Sequence, residues 1–177
     1  LLPLLWWLKS RQPRPQPGSP SGDRRLLLAG GLIAGGVLFS AASLQQVGLL
    51  YTTAAKAGFI TGLYIILVPV IGLALRHKTG ANTWIGALIA MAGLYYLSVT
   101  EEFTIGYGDL LQVIGALFWA IHLLVLDHYS NRVAPIRLAG VQFVVCGLLS
   151  LGTAFVIETP TLGGAMAGWQ ALLYAGL

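Results

Sequence analysis

The sequence predicts an all-α membrane protein, a bundle of several bilayer-spanning helices. Three observations carry that reading. Hydrophobic residues make up 56% of the 177 residues and charged residues only 9%, where a water-soluble domain carries roughly 25% charged residues. The few charges fall in short clusters. Between them lie runs with no Asp, Glu, Lys or Arg: Leu26 to Ala55, Ala57 to Leu75, Thr79 to Thr100, Leu110 to Leu126, Leu138 to Ile157 and Thr159 to Leu177. A spanning helix takes about 20 mostly apolar residues, and the bilayer interior offers backbone groups no water, so they must pair within the segment. The short alternating segments of a transmembrane barrel are absent, and Gly, Ala and Leu dominate.

The elements follow in order. Leu1 to Leu8 is apolar but too short to span, and reads as the tail of a helix whose start is missing. Ser10 to Arg25, with Pro13, Pro15, Pro17 and Pro20, is a loop because proline and glycine at that density break helices. Predicted spans cover Leu26 to Leu49, Gly58 to Leu75, Trp84 to Val99, Leu110 to Leu126 and Leu138 to Ile157. A last one begins near Gly168 and stops inside an apolar run, so the chain is read as a fragment with both ends in or beside spans. The connections are Thr52 to Ala57, Arg76 to Asn82, the acidic stretch Glu101 to Asp109, Asp127 to Arg137, and Thr159 to Gly168.

Charge then orients the bundle. Counting loops alternately, one side holds Lys9, Arg11, Arg14, Arg24, Arg25, Arg76, Lys78, Arg132 and Arg137, nine of the ten basic residues. The other holds Lys56 with Glu101, Glu102, Asp109 and Glu158. Basic residues collect on the cytoplasmic side of short loops, so residues 10–25, 76–82 and 127–137 are predicted to be cytoplasmic. The same clustering reads the net charge of +4 as an orientation signal, with no nucleic acid as partner; the lipid bilayer is the expected one. The single cysteine, Cys146, can form no intrachain disulfide.

Polar residues inside spans are the candidates for function, since they are costly in lipid. Gln112, Gly115, Trp119, His122 and Leu126 recur at spacings of three and four and share one helix face. Such a face turns to a protein interior or a wet cavity. Trp119 and His122 there serve as a solute-contacting wall, with His122 a candidate proton carrier, or as interhelical packing. Gln46, beside Gln45 and close to Tyr51, and Gln142 in a later span offer amide contacts to a solute or to a neighbouring helix. Pro69 interrupts its span and frees the carbonyl of Ile65, as a hinge or a passive bend. Lys56 snorkels to headgroups or draws anions to the outer entrance. Gly31 with Gly35, and Gly86 with Ala90, permit close helix approach. No Gly-x-Ser-x-Gly, His-Glu-x-x-His or phosphate-loop pattern occurs, so no enzyme, cofactor or metal is predicted.

The stretch from Leu44 to Leu75, LQQVGLLYTTAAKAGFITGLYIILVPVIGLAL, followed by WIGALIAMAGLYYLSV from Trp84 to Val99, resembles the EamA family of the drug/metabolite transporter superfamily. Gly108 to Leu151 is similar to the opening of that family's second repeat. The resemblance implies ten helices in two inverted five-helix repeats. Residues 1–100 would be the later part of the first repeat, from the end of helix 2 through helices 3–5. Residues 107–177 would open the second, with helices 6–8. Helices 1, 9 and 10 would lie outside the chain. Family members often carry a Glu after helix 4, where this chain has Arg76, His77 and Lys78, so that residue's role does not transfer. The resemblance further implies a secondary transporter of small organic metabolites or amino-acid-like solutes in a bacterial inner membrane. Export is the expected direction, alternating access the mechanism, and a homodimer a compatible assembly. Gln46, Tyr51, Trp119, His122 and Gln142 are the predicted cavity residues and Pro69 the predicted hinge. A membrane sensor or assembly subunit that transports nothing is the rival reading, and a dry, fully packed interior would favour it.

Overall fold

A computed structural model describes residues 22–75, 79–98 and 106–157, with single positions 163, 169 and 173 beyond them. Every element among the described residues is helical: α1 (Gly22–Leu49), α2 (Ala54–Gly62), α3 (Tyr64–Ala74), α4 (Ala81–Ser98), α5 (Tyr107–Ser130) and α6 (Pro135–Ile157). The predicted apolar tail at residues 1–8, most of the loop at 10–25, Arg76 to Lys78 and Glu101 and Glu102 lie outside the described residues. So does the last span, apart from the three single positions.

Four stretches among the described residues are long and apolar enough to cross a bilayer: Arg24–Leu49, Ala54–Ala74, Tyr107–Ser130 and Pro135–Ile157. The predicted span at Trp84 to Val99 is the helix α4, which has 18 residues and a polar first turn, Ala81, Asn82 and Thr83. It is not among the four. The helices also run further than the uncharged runs suggested. Gly22 starts α1, so Arg24 and Arg25 are helical. Asp127 and His128 sit in the last turn of α5, and only residues 131–134 separate it from α6. Charges at span ends are cheap when their side chains reach the headgroups, so a loss of hydrophobicity does not end a helix.

The second predicted span, but for its last residue, lies within one apolar stretch, Ala54–Ala74, whose helix is interrupted at Leu63. Its ladder tightens at Leu63, whose N–H bonds the Ile60 carbonyl at 3.1 Å while its own carbonyl accepts from Ile66 at 3.0 Å. These are three-residue bonds of the 3₁₀ type, and the Leu63 carbonyl also accepts the α-type bond from the Leu67 N–H at 3.0 Å. The interruption lies six residues before the buried Pro69 and directly after the helix-weakening Gly62. A proline ring crowds the carbonyl four residues back and removes one donor, loosening the turn that precedes it.

Contact registers give the bundle its order. Gly48 of α1 faces Gly108 and Gln112 of α5, and Gly30 faces Tyr129, so α1 and α5 are antiparallel. Gly31 faces Val141 and Gly35 faces Val145, so α1 and α6 are parallel. α5 and α6 are consecutive yet scarcely touch; both pack on α1. α2 and α3 also pack on α5, and α4 packs on them. The α1 face that makes this possible is Ala34, Leu38, Ala41, Gln45 and Gly48, spaced four, three, four and three. A Cβ on Gly31 would lie 2.2 Å from Val141, and one on Gly35 2.8 Å from the backbone oxygen of Gln142. Small residues at these crossings are therefore a steric requirement, as helix association in lipid favours. Nothing lies within 4 Å of a Cβ on Gly86, so that pair closes no helix contact among the described residues.

The outward surface is apolar. Leu88 is 63% exposed, Leu148 65% and Val156 85%. A soluble protein does not expose so continuous an apolar surface; lipid covers it.

Candidate functional site: a polar row along α5

Three of the four buried polar side chains among the described residues lie on one face of α5, and the fourth, Gln142, is on α6. Asp109, Gln112 and His122 are each 5% exposed or less, and Gly108, Gly115, Ala116 and Ala120 fill the same face. Thirteen residues separate Asp109 from His122, which is about 20 Å along a helix axis. In a hydrocarbon layer of about 30 Å the row runs from the Lys56 end of the bundle past its middle.

Each member has a partner on another element. Asp109 accepts from the Gly106 N–H at 2.9 Å and from the Thr52 hydroxyl, tying the start of α5 to the turn between α1 and α2. Lys56, in the first turn of α2, interacts electrostatically with the same carboxylate. Gln112 is satisfied at both ends. Its Nε2 donates to the Gln45 carbonyl at 2.9 Å, and its Oε1 accepts from the Thr61 hydroxyl at 3.2 Å. One side chain thereby joins α1, α2 and α5. Trp119 Nε1 donates to Gln45 Oε1 at 3.1 Å. Deepest, His122 Nε2 lies 3.0 Å from Oε1 of Gln142 on α6. The His122 Nδ1 is buried with no hydrogen-bond partner among the described residues. The Trp119 and His122 rings meet edge-on at 5.9 Å.

Of the five predicted cavity residues, Trp119, His122 and Gln142 are brought together here. Gln46 and Tyr51 are not. Gln46 is exposed, one residue off the buried face of α1, and Gln45 takes the place beside Trp119. Tyr51 is 61% exposed and packs edge-on against Tyr107 at 5.4 Å, at the end of the bundle. Pro69 is buried within α3, after the break at Leu63. Gln45, Thr52, Thr61 and Asp109 are the partners that sequence reasoning did not single out. Two signals pointed to them. Gln45 falls in register with the small residues of α1. Asp109, three residues after Gly106 and before an apolar run, has the spacing of a carboxylate that caps a helix start.

A separate groove of about 340 Å³ opens where α1, α3 and α5 part at the opposite end, between Ile33, Ile71, Leu75, Ile121, Val125 and Tyr129. None of the predicted cavity residues lines it. No cluster of three or more metal-ligating side chains occurs among the described residues.

Helices clad in apolar residues, joined on the inside by a row of amides, a tryptophan and a histidine, define a polytopic helical membrane protein. Residues 106–177 match the EamA-like transporter family. An uncharacterized transporter from Archaeoglobus fulgidus is 38% identical over 118 residues, which cover 66% of this chain and 37% of that protein. Over residues 106–177 the chain is thus similar to the EamA-like transporter family, and over 118 residues to a protein named as a transporter. The matched stretch spans little more than a third of the length of that relative. No solved structure matches the chain.

Proposed function

We propose that this chain forms the central helices of a secondary transporter for small organic solutes. One observation carries the reading: a membrane bundle similar to the EamA-like transporter family devotes its interior to donors and acceptors reaching from one end to beyond its middle. Small residues bring helices together in lipid, with polar side chains as a second means, and Gly31 and Gly35 supply the first where α1 crosses α6. The amides, indole and imidazole of the row come in addition to that contact and suit a path for a polar solute. Residues 1–100 and 107–177 are assigned to successive repeats, and the family match beginning at residue 106 supports a junction near Tyr107. Export from a bacterial cytoplasm by alternating access around the repeat interface, with Pro69 and the break at Leu63 as hinge, completes the proposal.

The test is a panel of metabolites and amino acids presented to the full-length protein in proteoliposomes. Uptake of at least one solute well above that of empty vesicles is expected, reduced tenfold or more by Trp119→Ala or His122→Ala. A protein that folds and moves nothing on the panel would refute it.

One observation favours a second reading, a membrane subunit that transports nothing. Trp119 bonds Gln45 and His122 bonds Gln142, so these side chains answer one another without a solute. Under that reading the alanine variants lose thermal stability and there is no flux to lose.

A further inference from the structure

The two ends of the bundle are built differently. At the Lys56 end, helix backbones touch. A Cβ on Gly108 would lie 2.6 Å from the Tyr51 carbonyl carbon and 2.7 Å from the Gly48 oxygen. Over this contact the Tyr51 and Tyr107 rings stack edge-on. Asp109, 5% exposed, accepts the Thr52 hydroxyl across it. At the other end α1, α3 and α5 separate into the 340 Å³ groove.

Glycine contact is sufficient to close the first end permanently. Asp109 already caps the start of α5 through the Gly106 N–H, and its bond to Thr52 is an addition that the cap does not require. It suits a seal that must open. Once parted, a carboxylate and a hydroxyl hydrate freely, whereas a parted apolar contact exposes oily surface to water. A bond exchanged between protein and water contributes little net free energy, which a solute's binding energy can offset.

We infer that the Thr52–Asp109 bond is an outer latch: made in the conformation seen here, with the Lys56 end shut, and broken when that end opens. Thr52 lies in the turn after α1 and Asp109 in the first turn of α5, so the latch joins the two proposed repeats where their relative motion would part them. Asp109 is a positioning residue in this account; it controls access and touches no solute. The inference rests on the transporter reading for its purpose, but its geometry can be tested without a solute.

The experiment uses the full-length protein in vesicles, with Cys146→Ser and a reporter, Ala116→Cys. Ala116 is 0% exposed on the α5 face between Asp109 and Trp119. The readout is the rate at which a membrane-impermeant maleimide reacts from the Lys56 side. Thr52→Val, which replaces the hydroxyl with a methyl group, is expected to raise that rate about tenfold, and Asp109→Ala at least as much. Thr52→Ser, which keeps the hydroxyl, is expected to leave the rate at the parent value. An unchanged rate in Thr52→Val, with the parent's thermal melting profile, overturns the latch. So does a rate in Thr52→Ser as high as in Thr52→Val, because the cause would then be packing. If Asp109→Ala fails to fold, the near-isosteric Thr52→Val decides alone. Raised labelling in a protein that moves no solute would support the latch and refute the transporter reading, so the two can fail separately.

Discussion

At the scale of single residues, the molecule distinguishes side chains that composition treats alike. Gln45 and Gln46 are neighbours, but successive helix positions point about 100° apart. Gln45 joins the buried stripe of α1 and bonds Trp119, while Gln46 is exposed and makes no side-chain hydrogen bond among the described residues. Gln112→Ala is therefore expected to cost about 1–2 kcal/mol, since each interhelical bond in a membrane contributes roughly 0.6 kcal/mol and up to about 1.7. Gln46→Ala should cost almost nothing. Equilibrium unfolding in mixed micelles measures both, and equal costs would contradict the assigned faces. The glycines divide the same way. Gly35→Ala places a methyl group against the backbone of α6 and is expected to cost about 1–3 kcal/mol through overpacking. Gly36→Ala meets nothing within 4 Å and should be neutral, or stabilising by up to about 1 kcal/mol from helix propensity. Trp119 and His122 were legible as one inward face from their spacing. Their partners were not, because Gln142 is 20 residues from His122 and Gln45 is 74 from Trp119.

At the scale of elements, the interesting helix is the one that is not continuous. The sequence marks Pro69 as the irregular point, yet the hydrogen-bond ladder changes at Leu63, directly after Gly62. Pro69→Ala restores a donor for the Ile65 carbonyl. The variant is expected to melt several degrees higher and, under the transporter reading, to turn over more slowly with little change in solute affinity. Faster turnover in a more stable variant would argue against a hinge. The stretch at Ala81–Ser98 teaches a different lesson. Its apolar run is long, but its first turn is polar and among the described residues it packs mainly on α2 and α3, so its helix is plain from sequence while its place in the bilayer depends on packing.

At the scale of the whole molecule, orientation is the most accessible proposal. Residues at the Lys56 end should be external and the α5–α6 connection cytoplasmic. With Cys146 replaced, a cysteine at Ala55 should react with an impermeant maleimide on intact cells. One at Asn131, exposed in the connection, should react only after permeabilisation. The reverse pattern would invert the assignment and move the proposed latch to the cytoplasmic face. The antiparallel pairing of α1 with α5, against the parallel pairing of α1 with α6, places that connection and the Thr52–Asp109 bond at opposite ends.

The sequence by itself determined that this is a polytopic helical membrane protein, and its loosely spaced motifs carried the family resemblance. Both depend on local quantities: the length of uncharged runs, the position of prolines and glycines, and the charge of the connections. The bilayer makes such quantities decisive, because it forces each segment to satisfy its own backbone. The tertiary structure alone decided which polar side chains meet. Asp109 read as a loop acid until Thr52, 57 residues away, was found against it. Gln112 read as one polar residue among several until it was found to join three helices. Pairings of this kind depend on how helices rotate and cross, and those angles are set by glycine contacts such as Gly48 with Gly108, in which no side chain takes part.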